Sequence, residues 1–211
     1  MRRTAGKKDT IGTRPRESRA ERADAQRNIG ALLAAAKTVF EKSGVDAPVR
    51  EIAIKAGVGV GTVYRHFPRR SDLIAAVSRQ EIDACADVAL TLATKYEPIE
   101  ALTRWMQRYV DLIAAKRGLA AVLHSGDPAY TPLPAYFDER LRPALSRLLG
   151  AAIAAGKVRA DVDADDLLRA VASLAMSSGD EAVASARRMV ALLVDGLRYG
   201  ATPPASRKRE A

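Results

Sequence analysis

The stretch that most restricts this chain is VREIAIKAGVGVGTVYRHFPRR, residues 49–70. Glycine recurs at positions 57, 59 and 61, and proline closes the segment at position 68. Such a run forms either a loop around a nucleotide phosphate or a tight turn between two short helices. A dinucleotide loop needs GxGxxG after a buried strand. Here Thr62 stands where the third glycine belongs, and VREIAIKAG reads as an amphipathic helix with Arg50, Glu51 and Lys55 outside. The phosphate loop GxxxxGK, followed by serine or threonine, occurs nowhere in the chain.

The two-helix option accounts for more of the residues. Gly57 supplies the positive φ that a tight turn demands. Ala53 is small where the two helices cross, and Ile52, Val58, Val63 and Phe67 make a shared apolar side. Gly59 serves as N-cap, and Gly61 lets the backbone approach a groove. Pro68 stops the second helix, because the residue before proline is pushed out of the helical region. Two short helices around a glycine turn make a helix-turn-helix. Thr62, Tyr64, Arg65 and His66 are left on or near the outer side, with donors and rings suited to phosphates and base edges.

The rest of the chain also reads as helix. Hydrophobic content is 48% but aromatic content only 5%, with alanine and leucine filling the gap. No tract alternates Val, Ile and Thr at period two, so no sheet is expected. A first helix follows Ile29, Leu32, Leu33, Ala36 and Phe40 to Gly44. Ser71 and Asp72 offer capping for a long fourth helix reaching about Lys95. Further helical stripes run through Leu102–Ile113, Leu119–Leu123 and Phe137–Leu149. Asp163 caps a segment at 163–176, and another follows at 180–199. The proline-rich DPAYTPLPAY, residues 127–136, reads as a loop. The expected fold is all-α with about nine helices: a three-helix N-terminal domain and a larger C-terminal helical domain.

Charge divides the chain in the same way. Residues 1–80 hold 17 Lys and Arg against 8 Asp and Glu, whereas residues 81–211 hold 17 of each. A basic block beside a neutral one fits a polyanion-binding module joined to a second domain. Residues 1–22 lack apolar periodicity and read as a disordered basic arm, either solvated or placed in a minor groove. Cys85 is the one cysteine, so no disulfide forms within the chain; a reducing cytoplasm is expected. The N-terminus lacks the apolar core of a signal peptide, and no apolar run is long enough for a bilayer.

The string VREIAIKAGVGVGTVYRHFPRRSDLIAAV closely resembles the DNA-binding signature of the TetR family of transcriptional regulators, over residues 29–77. Two positions depart from it. Pro48 and Gly59 stand where the family often has threonine and serine, and both lack the phosphate-binding hydroxyl. The resemblance implies a helix-turn-helix domain at 23–70, a ligand-binding and dimerisation domain at 71–200, and a flexible tail at 201–211. It implies a third helix in the major groove of double-stranded DNA, with Val60, Gly61 and Thr62 facing the bases. Tyr64 and His66 would contact the phosphate backbone, Arg70 would anchor a phosphate, and Arg50 would reach a base or phosphate. It implies a homodimer through the last two helices, and a pocket for an unknown small-molecule effector among the fourth to eighth. Its candidate walls are Trp105, Met106, Tyr109, His124, Tyr136, Phe137 and Met176. No charged residue stands inside the apolar stripes, so an uncharged, largely apolar ligand is expected.

Three functions remain to be separated: a ligand-responsive repressor, a nonspecific DNA-coating protein and an enzyme. The enzyme finds least in the sequence. His66 and His124 are the two histidines and lie far apart, and no nucleophile motif or metal-ligand spacing occurs. No catalytic residue, metal or cofactor is therefore assigned.

Overall fold

The computed structural model describes residues 19–117, 120–123, 125–176 and 181–200. Among these there are nine helical segments and no strand, as the all-α reading expects. They are α1 (Arg19–Ser43), α2 (Val49–Ala56), α3 (Val60–His66), α4 (Arg70–Lys95) and α5 (Pro98–Arg117). Then come α6 (Ala120–Leu123), a single turn, α7 (Leu133–Ala154), α8 (Ala164–Ala175) and α9 (Ala182–Arg198). The expected tail at 201–211 and the arm up to residue 18 lie outside the described residues.

Three boundaries differ from expectation. α1 starts at Arg19, inside the segment assigned to the arm. Its first turns, RAERADAQ, have little apolar content but are rich in strong helix formers, and propensity does not depend on an apolar stripe. α7 starts at Leu133, inside the expected proline loop. Pro132 is its N-cap and Pro134 sits in its first turn, where a missing N–H costs nothing. The cap of α4 is Arg69, two residues before Ser71 and three before Asp72. Asp72 acts from within the first turn: its Oδ2 accepts the Arg69 backbone N–H at 3.0 Å. At α8 the expectation holds, since Asp163 Oδ1 accepts from the N–H groups of Asp165 and Asp166 at 2.8 and 3.2 Å.

The helices form two main packed cores joined by α4, with a smaller cluster of Ile74, Ala75, Tyr130 and Leu133 beside it. The N-terminal head buries Leu32, Ala36 and Val39 of α1 against Ile52 and Ala53 of α2 and Val63 of α3. Leu73 and Val77 of α4 complete it, so α4 belongs to the head beyond the division expected at residue 70. The larger core takes Ile82, Cys85 and Ala89 of α4 and centres on α5, which packs against α4, α7, α8 and α9. Leu102, Trp105, Met106, Tyr109 and Val110 supply its buried face. Burial pushes the Cys85 thiol up to about 12, so it stays protonated and inert at neutral pH.

Candidate nucleic-acid interface

The turn between α2 and α3 fixes the geometry of the head. Gly57 ends α2 in the left-handed conformation, φ +68 and ψ 28. Its N–H donates to the Ile54 carbonyl at 3.1 Å, and the Val58 N–H to the Ala53 carbonyl at 3.0 Å. This paired closure satisfies two orphan carbonyls, while Val58 tucks in beside the head core. Gly59 is extended and caps α3; its carbonyl accepts from Thr62 N–H at 2.9 Å. α3 then buries Val63 and leaves Val60, Gly61, Tyr64, Arg65 and His66 exposed, with Thr62 half-buried.

The exposed face of the head is therefore a short rod with a consistent outer side. Tyr64 is 50% exposed. Arg50 is exposed at the start of α2. Among the described residues neither Arg50 nor Arg65 has an ion-pair partner, so both charges are free to meet an anion. Arg70 is different. Its guanidinium donates to the Val45 carbonyl and ties the start of α4 to the α1–α2 loop. The neighbouring Arg69 is held by Asp72, with Nη2 to Oδ1 at 2.7 Å.

A Cβ added at Gly59 or Gly61 would meet nothing within 4 Å. Neither position needs glycine for packing or for its backbone angles. Gly61→Ala is therefore expected to stabilise the fold by up to about 1 kcal/mol. It should also weaken DNA binding, because the new methyl lies on the exposed face of α3 that the resemblance turns toward the groove. Chemical denaturation and a DNA titration read the two effects separately.

A second feature lies beneath the head. A cavity of about 340 Å³ is lined by Ser78, Ile113, Lys116, Tyr130, Leu133 and Phe137, with Leu123, Pro134 and Met176 also on its wall. Its size is at the lower end of small-molecule sites. Of the residues expected to form a pocket, Phe137 and Met176 do line it. Trp105, Met106 and Tyr109 do not: all three are buried core. Trp105 Nε1–H donates to the Cys85 carbonyl at 2.8 Å, and its ring stacks on Tyr109 at 5.6 Å. Tyr136 turns away, donating its hydroxyl to Asp83 Oδ1 at 2.6 Å. His124 lies outside the described residues. Each residue of a helix is rotated by about 100° from the one before, so Tyr136 and Phe137 face different surroundings.

Two polar groups of the cavity were missed from the sequence. Ser78 is 4% exposed, and among the described residues its Oγ has no hydrogen-bond partner. A buried polar atom left unsatisfied costs about 1–3 kcal/mol. Lys116 is half-buried, with Nζ 3.9 Å from the centre of the Phe137 ring. Burial lowers its pKa to about 8, so it remains mainly cationic at neutral pH. Its place three residues after Ile113 puts it on the apolar face of α5, a spacing that the sequence does show.

The helix-turn-helix residues fall inside a match, at residues 32–77, to the family model described as "Bacterial regulatory proteins, tetR family". Residues 97–199 match "Transcriptional regulator SbtR-like, C-terminal domain". A solved TetR transcriptional regulator from Streptomyces coelicolor is 40% identical, with a TM-score of 0.70, covering 80% of this chain and 97% of its own. The chain belongs to the TetR family. A TetR regulator from Mycobacterium vanbaalenii is 37% identical, with a TM-score of 0.68, covering 84% of this chain and 98% of its own. Among curated relatives, an HTH-type transcriptional regulator of Staphylococcus aureus is 36% identical over 63 residues, 29% of this chain. The match spans 34% of that relative's length.

Membership of the TetR family makes this a DNA-binding transcriptional regulator, and the family and fold are not those of enzymes. No helix among the described residues is long and apolar enough to cross a membrane. The shared TetR pattern also explains the order of elements: a head carried on α4, then a helical body.

Proposed function

We propose that the chain is a homodimeric cytoplasmic repressor that releases a near-palindromic operator when a small, largely apolar molecule fills the cavity. The observation that carries this reading is the register of α4. Val77 is buried in the head core, and Ser78, the next residue, lines the cavity. One turn further on, Glu81 pairs with Lys37 of α1 at 2.6 Å. A shift of α4 around a bound molecule therefore moves the head directly. The size of the response is set by the differential affinity of the molecule for the two positions of α4.

For DNA contact, this reading uses Val60, Gly61, Thr62, Tyr64 and His66 on α3, with Arg50 beside them. The Arg70 guanidinium already holds Val45, so its role is to fix the head on α4 as well as to face phosphate. The dimer is assigned to α8 and α9. Met189 and Leu192 are exposed on α9, and Tyr199 is exposed at its C-cap. Apolar side chains at this spacing favour a second copy of the same helices. Ala175 and Ala186 face the monomer core, so close packing between copies falls to the outer stripe.

Selection of bound duplexes from a random DNA pool tests the proposal. A two-fold dimer should enrich a palindrome with half-sites about 34 Å apart, near one helical turn. Enrichment of no sequence, with a steep loss of binding in salt, would identify a nonspecific coating protein instead.

A further inference from the structure

The cavity contains two polar groups that its packing matches incompletely among the described residues: the hydroxyl of Ser78, without a hydrogen-bond partner, and the ammonium of Lys116, which lies over the Phe137 ring but has no ion-pair partner. They come from different elements, α4 and α5, and line one space with Ile113, Leu133 and Phe137. A neutral hydrocarbon in this space would strip water from both and return nothing. A cation would be repelled by Lys116. An alcohol would partner Ser78 and leave the charge unmatched. Among the described residues lining the cavity, Lys116 is the one charged side chain; Asp138 acts on it from outside that lining, so the cavity wall itself carries a positive charge.

We propose that the effector is an apolar molecule ending in a carboxylate, which accepts a hydrogen bond from Ser78 Oγ–H and pairs with Lys116 Nζ. This rests on reading the cavity as the effector site and names the chemistry of what enters it. The apolar body lies against Ile113, Leu133 and Phe137. Lys116 is kept half-buried at a cost to the fold because the bound carboxylate needs it there. The expectation of an uncharged ligand is replaced. Stripe reading found no charge inside the apolar faces, whereas the Lys116 stem runs along the apolar face of α5 and brings its ammonium to the cavity.

Decanoate, decan-1-ol and decylamine are the probes, titrated calorimetrically into the full chain near neutral pH. Decanoate should bind at least about tenfold more tightly than the alcohol, and decylamine should give no binding. Lys116→Met keeps an apolar stem of similar length and should abolish the preference for acid over alcohol. Its melting temperature should not fall, since a desolvated charge is removed. Ser78→Ala should weaken decanoate several-fold and leave the alcohol unchanged. Equal affinity for acid and alcohol, preference for the amine, no heat from any probe, or a preference that survives Lys116→Met would each overturn the carboxylate site. Repeating the titration against bound operator separates this from the wider reading. A carboxylate preference with no change in DNA affinity upholds the site and removes its role as effector. Release of DNA by acid and alcohol alike upholds the effector role and removes the carboxylate.

Discussion

Tyr64→Ala should weaken operator binding by about a hundredfold while leaving the fold intact. Tyr64 stands 50% exposed on the outer side of α3, and among the described residues its hydroxyl has no partner within the chain. A neutral donor meeting a phosphate oxygen makes a charge-assisted hydrogen bond worth about 1.5–3 kcal/mol. The dimer proposed above would present the residue twice on each operator. Two losses at the lower figure sum to about 3 kcal/mol, or about a hundredfold in affinity. Stability should change by less than about 0.5 kcal/mol, as for surface substitutions that break no cap or core contact. Tyr64→Phe separates the two parts of the side chain. If the hydroxyl carries the contact, the phenylalanine variant should resemble alanine; if the ring packs on the sugar, it should resemble the native chain. Anisotropy of labelled DNA at fixed salt measures both. An unchanged affinity in the alanine variant would remove Tyr64 from the interface, whatever the variant's stability.

The head was legible because every feature that builds it is local. Gly57 must turn, Ala53 must be small, and Ile52 and Val63 must face inward; each follows from spacing over about a dozen residues. The structure puts Ile52 and Val63 fully inside and Gly57 at φ +68. The cap at Asp163 was legible for the same reason, since a carboxylate two and three residues before free N–H groups needs no tertiary partner. The cavity was not legible. Trp105, Tyr109 and Phe137 all lie on apolar stripes, and sequence spacing does not say which stripe meets another helix and which meets a void. That is decided by how α4, α5 and α7 lie against one another. Phe137 touches both regions: its ring tilts against Tyr109 at 5.9 Å on the core side and takes Lys116 on the cavity side. Ser78 gave no signal at all, because a serine on a helix is ordinary until its buried hydroxyl is found without a partner among the described residues. Start points of helices were misread wherever a helix begins without an apolar residue, as at Arg19, or through prolines, as at Leu133.

Trp105→Ala tests that division between core and cavity, and it should produce the largest loss of stability of any single truncation considered. The indole is 0% exposed on α5, stacked on Tyr109 with an interplanar angle of 14°. Its removal leaves a void that neighbouring helices close only in part, and such losses cost about 3–5 kcal/mol. For a chain of this size that lowers the melting temperature by on the order of 10 °C. A residue lining a ligand cavity behaves otherwise: one side of it already faces open space, so truncation costs little and ligand affinity changes most. Phe137→Ala should therefore lose less stability than Trp105→Ala and alter binding of decanoate more. Trp105→Phe refines the test, since it keeps much of the buried area and loses the hydrogen bond to the Cys85 carbonyl. That bond joins α5 to the middle of α4, seven residues after Ser78. The phenylalanine variant should lose about 1 kcal/mol or somewhat more through the missing hydrogen bond and the smaller ring. It should also loosen α4, so the change in DNA affinity caused by a cavity ligand should shrink while DNA binding by the free protein persists. A Trp105→Ala variant that melts within a degree of the native chain would show that the α4–α5 contact does not hold the body together, and the route from cavity to head would have to run elsewhere.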